Sequence, residues 1–293
     1  MSSSVICILL AGILWGTMGI FVRHLAAYGF SSLQIACLRI IAAGILFFLY
    51  LLAADRKKLR IQKKDLPLFL GMGWGSILFF TICYFTTIQT TSLAIAAILL
   101  YTSPVFVVLL SAVFLKEKIT GRKILALCIA FLGCVFVAGV GEASDLSGAG
   151  FVIGLCSGLG YGLYSIFGSI LLKKYHPYTV SAYAFIFAGA GALFLCNVKD
   201  TAQKTADSGN PLSVLGFVLL TAAVTAVAPF LLYTMGLMKV EAGKAAIMAM
   251  IEPLVAAVIG IAVFGETLTG QSVIGIVCIF GAILILNLNC GHE

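Results

Sequence analysis

The chain has 293 residues, of which 62% are hydrophobic and only 10% are charged, with a formal net charge of +7. Soluble domains average about 45–50% apolar and about 25% charged residues, and one soluble core of this size cannot bury so much apolar surface. The composition therefore excludes an ordinary soluble domain and a disordered chain, and it indicates a protein whose solvent is the lipid bilayer.

Apolar stretches of about 20 residues predict membrane-spanning helices. The chain contains a series of ten such stretches, and the longest connections between them are residues 54–65 and 198–211. The first stretch lacks a basic leader and a cleavage site, so we interpret it as a span and not as a signal peptide. We therefore expect an all-α integral membrane protein with spans at 4–23, 31–53, 66–89, 92–115, 120–140, 147–171, 178–197, 212–236, 240–264 and 269–289.

The basic residues predict the orientation of these spans. With the N-terminus inside, thirteen Lys and Arg residues fall in inner loops and three in outer loops. This positive-inside bias predicts a multi-pass protein of the plasma membrane with both termini in the cytoplasm. The basic segment 56–64 is interpreted as a topology anchor beside anionic lipid, and no nucleic-acid partner is expected.

Two parts of the chain resemble each other. Residues 84–137 align without a gap with residues 233–286 at an offset of 149, and a second block at an offset of 146 places Trp15 on Tyr161. We therefore divide the chain into a first repeat at 1–140, a linker at 141–146 and a second repeat at 147–289. Five spans per repeat invert the second repeat, and inverted repeats build inward-open and outward-open states around a midplane site. This pattern favours a transporter over a channel or a membrane enzyme.

The aligned segments also carry a family pattern. Residues 93–137 contain Pro104 and then Leu115 to Thr120, while residues 242–286 contain Glu252-Pro253 and then Gly265 to Thr269. This doublet resembles the EamA family of the drug/metabolite transporter superfamily over essentially the whole chain. The resemblance implies a ten-helix bundle with a central cavity between the halves. It also implies transport, usually outward, of amino acids, other small metabolites or drugs.

Prolines and glutamates mark equivalent places in the repeats. A proline inside a helix removes a backbone hydrogen bond and bends the helix, so we expect hinges at Pro104, Pro229 and Pro253. Glu117 and Glu266 are each followed by a Thr-Gly pair at the start of the next helix. We interpret both glutamates as structural turn residues and the threonines as helix N-caps.

Charged residues inside the spans are expensive and point to function. Arg39, Lys244 and Glu252 align with Phe185, Ile95 and Ser103, so none of the three charges is duplicated. We therefore predict that all three bind substrate and that Glu252 also carries a coupling proton. Each of two residues also has a structural alternative. Arg39 could donate hydrogen bonds to helix-end carbonyls, and the Lys244 side chain could reach the membrane surface.

Aromatic residues complete the predicted site. Paired aromatics facing one cavity can hold an apolar group or a cation, and the alternative is anchoring at the membrane surface. We predict that the substrate-binding aromatics are Trp15, Tyr84, Tyr101, Tyr161, Tyr164 and Tyr233.

The sequence offers no catalytic, metal or cofactor motif. The nine cysteines are scattered through apolar runs, and the three histidines are far apart. No phosphate-binding loop is present, so the energy for transport must come from a gradient. We expect a secondary active transporter, not an enzyme, that exports an amino acid or related zwitterion, with no cofactor and with a coupling proton or ion. A cationic substrate such as a choline-like ammonium or a drug is the alternative, and a monomer is favoured over a homodimer.

Overall fold

The computed structural model describes residues 3–138, 148–267 and 269–287. In these residues, ten helices are long and apolar enough to cross a membrane, which confirms the predicted all-α membrane fold. Their bounds lie within a few residues of the predicted spans. They are α1 (Ser3–Ala26), α2 (Ser32–Ala54), α3 (Lys63–Thr90), α4 (Leu93–Leu115), α5 (Gly121–Ala138), α6 (Gly148–Leu171), α7 (Pro177–Leu195), α8 (Pro211–Leu237), α9 (Ala242–Phe264) and α10 (Gly270–Asn287).

Each helix crosses the bundle once, so the connections alternate between two ends. The end that carries residue 3 and the connections after α2, α4, α6 and α8 holds most loop Lys and Arg residues, and we call it the basic end. The connections after α1, α3, α7 and α9 lie at the opposite end. The predicted linker 141–146 lies outside the described residues.

The packing of the helices is unchanged when the two halves are exchanged. α1 packs along α8, and its repeat equivalent α6 packs along α3. α2 contacts α7, α4 contacts α9 and α5 contacts α10, so each of these pairs joins a helix to its own equivalent. Since five helices per half turn one half upside down relative to the other, the bundle consists of two inverted repeats around a central cavity.

The equivalent helices α3 and α8 also share a local irregularity. α3 contains a π-helical stretch at Gly71–Leu78, and α8 contains one at the matching place, Ala223–Val227. π-Helical turns depart from the usual hydrogen-bond pattern and are frequent at functional sites. Both stretches lie in the interior of the bundle, where Ser76 and Thr225 are fully buried.

The polar connection 198–211 contains a short helix, Val198–Asp207, which hydropathy does not reveal. Its N-cap is Asn197, whose side chain accepts the Asp200 N–H at 3.1 Å. The Asp200 carboxylate accepts bonds from Lys204 and from Gln34, both at 2.7 Å, and these bonds lower the Asp200 carboxyl pKa below its usual value. Because Gln34 belongs to α2, the helix fastens the connection to the first repeat.

The turns that lead into α5 and α10 have the predicted caps. Thr120 Oγ1 accepts the Lys123 N–H at 3.3 Å, and Thr269 Oγ1 accepts the Ser272 N–H at 3.1 Å. The threonine caps are therefore confirmed at equivalent places in the two repeats. They define where α5 and α10 begin, and so the position of the turns that carry Glu117 and Glu266.

Candidate functional site

α4 and α9 are both broken near the middle. α4 consists of Leu93–Leu100 and Ser103–Leu110, which continues as a π-helical stretch at Ser111–Leu115, and α9 consists of Ala242–Ala249 and Ile251–Phe264. The break residues Tyr101 and Met250 are equivalent at the offset of 149. A proline follows each break three residues later. It has no N–H to donate to the carbonyl four residues earlier, and its ring clashes with that carbonyl, so the helix is interrupted. The structure thus has a helix break next to each of Pro104 and Pro253, and hinge movement at these prolines stays a prediction.

Glycines of α1 and α6 lie against these breaks. A Cβ on Gly12 would lie 3.2 Å from the Ala249 carbonyl oxygen, and one on its equivalent Gly158 would lie 3.3 Å from the Leu100 carbonyl oxygen. Each carbonyl is the one that the proline leaves without a helical partner. Only glycine allows the two backbones to approach this closely. The contact brings Trp15 of α1 and Tyr161 of α6 beside the broken helices.

The breaks border a cavity of about 130 Å³ between the two repeats. It lies in the half of the bundle nearer the opposite end. Five of the nine predicted binding residues share it, namely Trp15, Arg39, Tyr84, Tyr161 and Glu252. The other residues that line it are Met18, Phe80, Thr81, Phe85, Leu100 and Phe230.

Arg39 is 8% exposed and only partly satisfied by its neighbours. Its Nη1 donates to the Thr225 carbonyl at 3.4 Å and contacts the Met18 sulfur at 2.9 Å. Pro229 has no N–H with which to occupy the Thr225 carbonyl, so the carbonyl is available to Arg39. Among the described residues, none accepts a bond from Arg39 Nε. A buried donor without a partner is costly, and a ligand acceptor would relieve that cost.

Glu252 lies in the first turn of the second segment of α9 and is half-buried. Within the described residues, its carboxylate accepts one bond, a long one of 3.5 Å from the Tyr161 hydroxyl. Arg39 and Glu252 line one cavity, yet the described chain has no ion pair between them. The two groups thus line the same cavity without a contact within ion-pair distance.

Aromatic rings enclose the space between the charges. Trp15 lies 6.1 Å from Tyr161 and 5.0 Å from Phe230, measured between ring centroids and with edge-to-face geometry. Phe80 lies 5.2 Å from Tyr161. The Trp15 Nε1 is buried and, in the part of the chain that is described, has no acceptor. The site therefore combines apolar walls with two unpartnered donors and one carboxylate.

Tyr164 and Tyr233 take part in a different cluster, in the half nearer the basic end. The Tyr164 hydroxyl lies 2.9 Å from Thr234 Oγ1, and the Tyr233 hydroxyl lies 2.8 Å from Ser165 Oγ. Both tyrosines are almost completely buried. With Ser181, which donates to Thr234 at 3.1 Å, they form a hydrogen-bonded hydroxyl layer beneath the cavity. Both tyrosines also line a gap of about 20 Å³ whose wall includes Trp15, Tyr161 and Phe230 of the cavity. The structure therefore does not bring these two tyrosines to the charged cavity.

The remaining predicted residues lie at the margins. Tyr101, at the break of α4, borders two spaces. One is a groove that Glu266 also lines, and the other is a narrow gap beside Glu252. Lys244 lies in the first turn of α9, at the basic end, near Glu241 and Lys123. It does not line the charged cavity, because α9 places it more than one turn from Glu252.

Sequence reasoning missed the apolar wall of the site. Met18, Phe80 and Phe230 line the cavity, but in a membrane protein an apolar side chain that faces a cavity looks like one that faces lipid. Phe230 had one available signal, since it directly follows Pro229 in the sequence. The other two carry none.

The sequence model of the EamA-like transporter family matches residues 2–139 and again residues 148–288. The chain belongs to the EamA-like transporter family. An Archaeoglobus fulgidus protein named "Uncharacterized transporter" is 31% identical over 281 residues, covering 95% of this chain and 94% of its own. The Bacillus subtilis "Uncharacterized transporter YxxF" is 24% identical, covering 97% of this transporter and 89% of its own chain.

A solved crystal structure is similar to this transporter over its whole length. The two superpose with a TM-score of 0.81 at 16% identity, covering 98% of this chain and 97% of the other. At this low identity the likeness shows the fold, and the chemistry of the site has to be argued from the residues of this chain.

Proposed function

We propose that this transporter is a secondary active exporter of an amino acid or a related zwitterion, which works by alternating access. The observation that carries the proposal is the pair of opposite charges, Arg39 and Glu252, in one cavity without an ion pair between them. A zwitterion satisfies both charges at once, whereas an anion or a cation satisfies one. The free-energy cost of burying each charge is then offset by its ion pair with the substrate.

The position of each donor assigns the two ends of the substrate. The unpartnered N–H groups of Arg39 and Trp15 fit a carboxylate, because each is a buried donor that lacks an acceptor. The Glu252 carboxylate, which accepts a long bond from Tyr161, fits an ammonium group. A cavity of about 130 Å³ leaves room for a small apolar side chain between the aromatic rings.

Glu252 is also the proposed carrier of the coupling proton. It is the acidic group that faces the cavity, and the titratable or charged groups near it are Arg39, Tyr84, Tyr101, Cys134 and Tyr161. Proton loading removes the negative charge that holds the ammonium group. Binding of a proton and binding of the substrate therefore compete, which is the requirement for exchange across a membrane.

The orientation follows from the basic loops. We place the protein in the plasma membrane with the basic end and both termini in the cytoplasm, since Lys and Arg accumulate on the cytoplasmic side. The charged cavity then lies in the outer half of the bundle, above the hydroxyl layer of Tyr164 and Tyr233. That arrangement corresponds to a state closed towards the cytoplasm.

Counterflow in proteoliposomes tests the substrate class. Neutral amino acids are compared with their matched amines, which lack the carboxylate, and their matched carboxylic acids, which lack the ammonium group. We expect exchange of the amino acids at least ten-fold above either analogue. Glu252→Gln should lose the preference for amino acids over the matched carboxylic acids, and it should lose pH-driven accumulation. Arg39→Gln should reduce the preference for amino acids over the matched amines.

Lys244→Gln supplies the matched control, because it removes a charge from the same helix outside the cavity. Its substrate preference should equal that of the wild type. Transport of amines or quaternary ammonium compounds above amino acids would contradict the zwitterion. It would favour the second candidate, a cation held by Glu252 and the rings of Trp15, Phe80 and Tyr161, whose faces attract positive charge.

A further inference from the structure

Glu117 and Glu266 leave equivalent turns at opposite ends of the bundle. The Glu117 N–H donates to the Ser111 carbonyl at 3.2 Å, and the Glu266 N–H donates to the equivalent Gly260 carbonyl at 3.0 Å. Threonine caps fix the following helices in the same way at both places. The two side chains therefore start from the same local geometry, and a difference between their contacts reports a difference between the two ends.

Glu117 binds the start of α9. Its carboxylate accepts the Ala242 N–H at 2.6 Å and the Gly243 N–H at 3.1 Å. The first N–H groups of a helix lack helical acceptors and carry partial positive charge, so a carboxylate binds them well. This contact joins the α4–α5 turn of the first repeat to the start of α9 in the second repeat at the basic end. We call it the basic-end latch.

Lys123 reinforces the basic-end latch. Its Nζ lies 3.7 Å from Glu117 and 2.7 Å from Glu241, and it donates to the Lys118 carbonyl at 2.8 Å. The side chain is almost completely buried. The latch thus consists of a capped helix and a charge cluster centred on the buried Lys123.

The equivalent contact is open at the other end. The offset of 149 maps Ala242 and Gly243 onto Leu93 and Ala94, the first residues of α4. These two residues and Glu266 border a groove of about 480 Å³. Glu266 instead pairs with Arg23, with both side chains about half exposed, and the Arg23 guanidinium lies 3.8 Å from the centre of the Phe264 ring.

We propose that Glu266 exchanges partners during transport. It releases Arg23 and binds the backbone N–H groups of Leu93 and Ala94 when the opposite end closes. This proposal rests on alternating access. Inverted repeats reach their second state by exchanging the conformations of the halves, so a contact that closes one end has an equivalent that closes the other. Glu117 releases α9 in the same step.

The two latches differ in strength. The equivalents of Lys123 and Glu241 are Ser272 and Ser92, so the second latch has hydroxyl groups where the first has an ion pair between a buried lysine and a half-exposed glutamate. Arg23 also competes for Glu266, while its equivalent in the second repeat is Ser169, at the offset of 146. The resting protein is therefore biased towards the state that is closed at the basic end.

Disulfide formation between engineered cysteines tests the exchange in a cysteine-free variant in proteoliposomes. Thr91→Cys with Thr267→Cys reports closure of the opposite end, and the equivalent pair Val240→Cys with Lys118→Cys reports the basic end. At rest, the basic-end pair should react faster. Glu117→Gln should slow it and speed the opposite-end pair, each by about two- to thirty-fold, the range that a lost helix cap gives.

Adding Glu266→Gln to Glu117→Gln should slow the opposite-end pair again, and Arg23→Gln alone should speed it. Asp207→Asn, which removes an exposed acid at the same end, is the control. If one pair reacts faster whenever the other reacts slower, while Glu266→Gln has no more effect than Asp207→Asn, the proposed latch is wrong and alternating access stands. If no variant changes the two disulfide formation rates in opposite directions, both alternating access and the proposed latch are wrong.

Discussion

Lys116 and Gly265 occupy the same left-handed backbone position, with φ of 60° and 66°, at the ends of α4 and α9. Left-handed backbone costs an L-residue about 1–2 kcal/mol and costs glycine nothing. The turn is therefore strained in the first repeat, at Lys116, and unstrained in the second repeat, at Gly265. The same turn presents Glu117 to α9, so the strain lies beside the contact that closes the basic end.

The first prediction concerns this turn. Lys116→Gly should raise the apparent Tm in detergent slightly, because relief of strain exceeds the added flexibility of the unfolded chain, about 0.4–1 kcal/mol. Gly265→Ala should lower the apparent Tm by imposing about 1 kcal/mol of strain. Thermal unfolding followed by tryptophan fluorescence measures both. Equal losses for the two variants would show that the positions are not equivalent.

The second prediction compares two glycines of α1. A Cβ on Gly16 would lie 2.8 Å from the Glu252 carbonyl oxygen, whereas a Cβ on Gly19 would meet nothing within 4 Å. Gly16→Ala should therefore cost about 1–3 kcal/mol of stability and displace the segment that carries Glu252. Gly19→Ala should leave the apparent Tm unchanged or slightly higher, because alanine favours helix. A comparable loss for both would contradict the close contact of α1 with α9.

The elements of this fold could be predicted because lipid demands long apolar helices, and a repeat of five of them fixes the inversion. The bends at Pro104 and Pro253 were predictable for a similar reason, since proline acts through the backbone. The facing direction of each side chain was not. Hydropathy does not determine the rotation of a helix that is apolar all round, so Tyr164 and Tyr233 could not be separated from Tyr161 by sequence.

The third prediction is the topology. In a cysteine-free variant, Lys199→Cys should react in intact cells with a maleimide that cannot cross the membrane. Arg60→Cys and Lys118→Cys should react only after permeabilisation, because the basic end is placed in the cytoplasm. All three side chains are exposed, so a missing reaction reports the side of the membrane and not burial. Ready labelling of position 60 or 118 in intact cells would reverse the orientation.

The last prediction concerns Pro229 and Arg39. Pro229→Ala supplies an N–H that competes for the Thr225 carbonyl, which otherwise accepts from Arg39 at 3.4 Å. Arg39 is then free to approach Glu252 and to compete with the substrate. A hydrogen bond to a charged group contributes about 1.5–3 kcal/mol, so substrate affinity should fall about ten-fold or more.

Stability should behave differently from affinity in this variant. The added helical hydrogen bond should leave the apparent Tm unchanged or raised, so weaker binding cannot be ascribed to unfolding. Pro211→Ala is the matched control, because Pro211 lies at the first turn of the same helix, where a missing N–H has no helical acceptor to lose. Binding of the amino acid identified by counterflow is measured for both variants. Unchanged affinity in Pro229→Ala would show that the Thr225 carbonyl does not position Arg39.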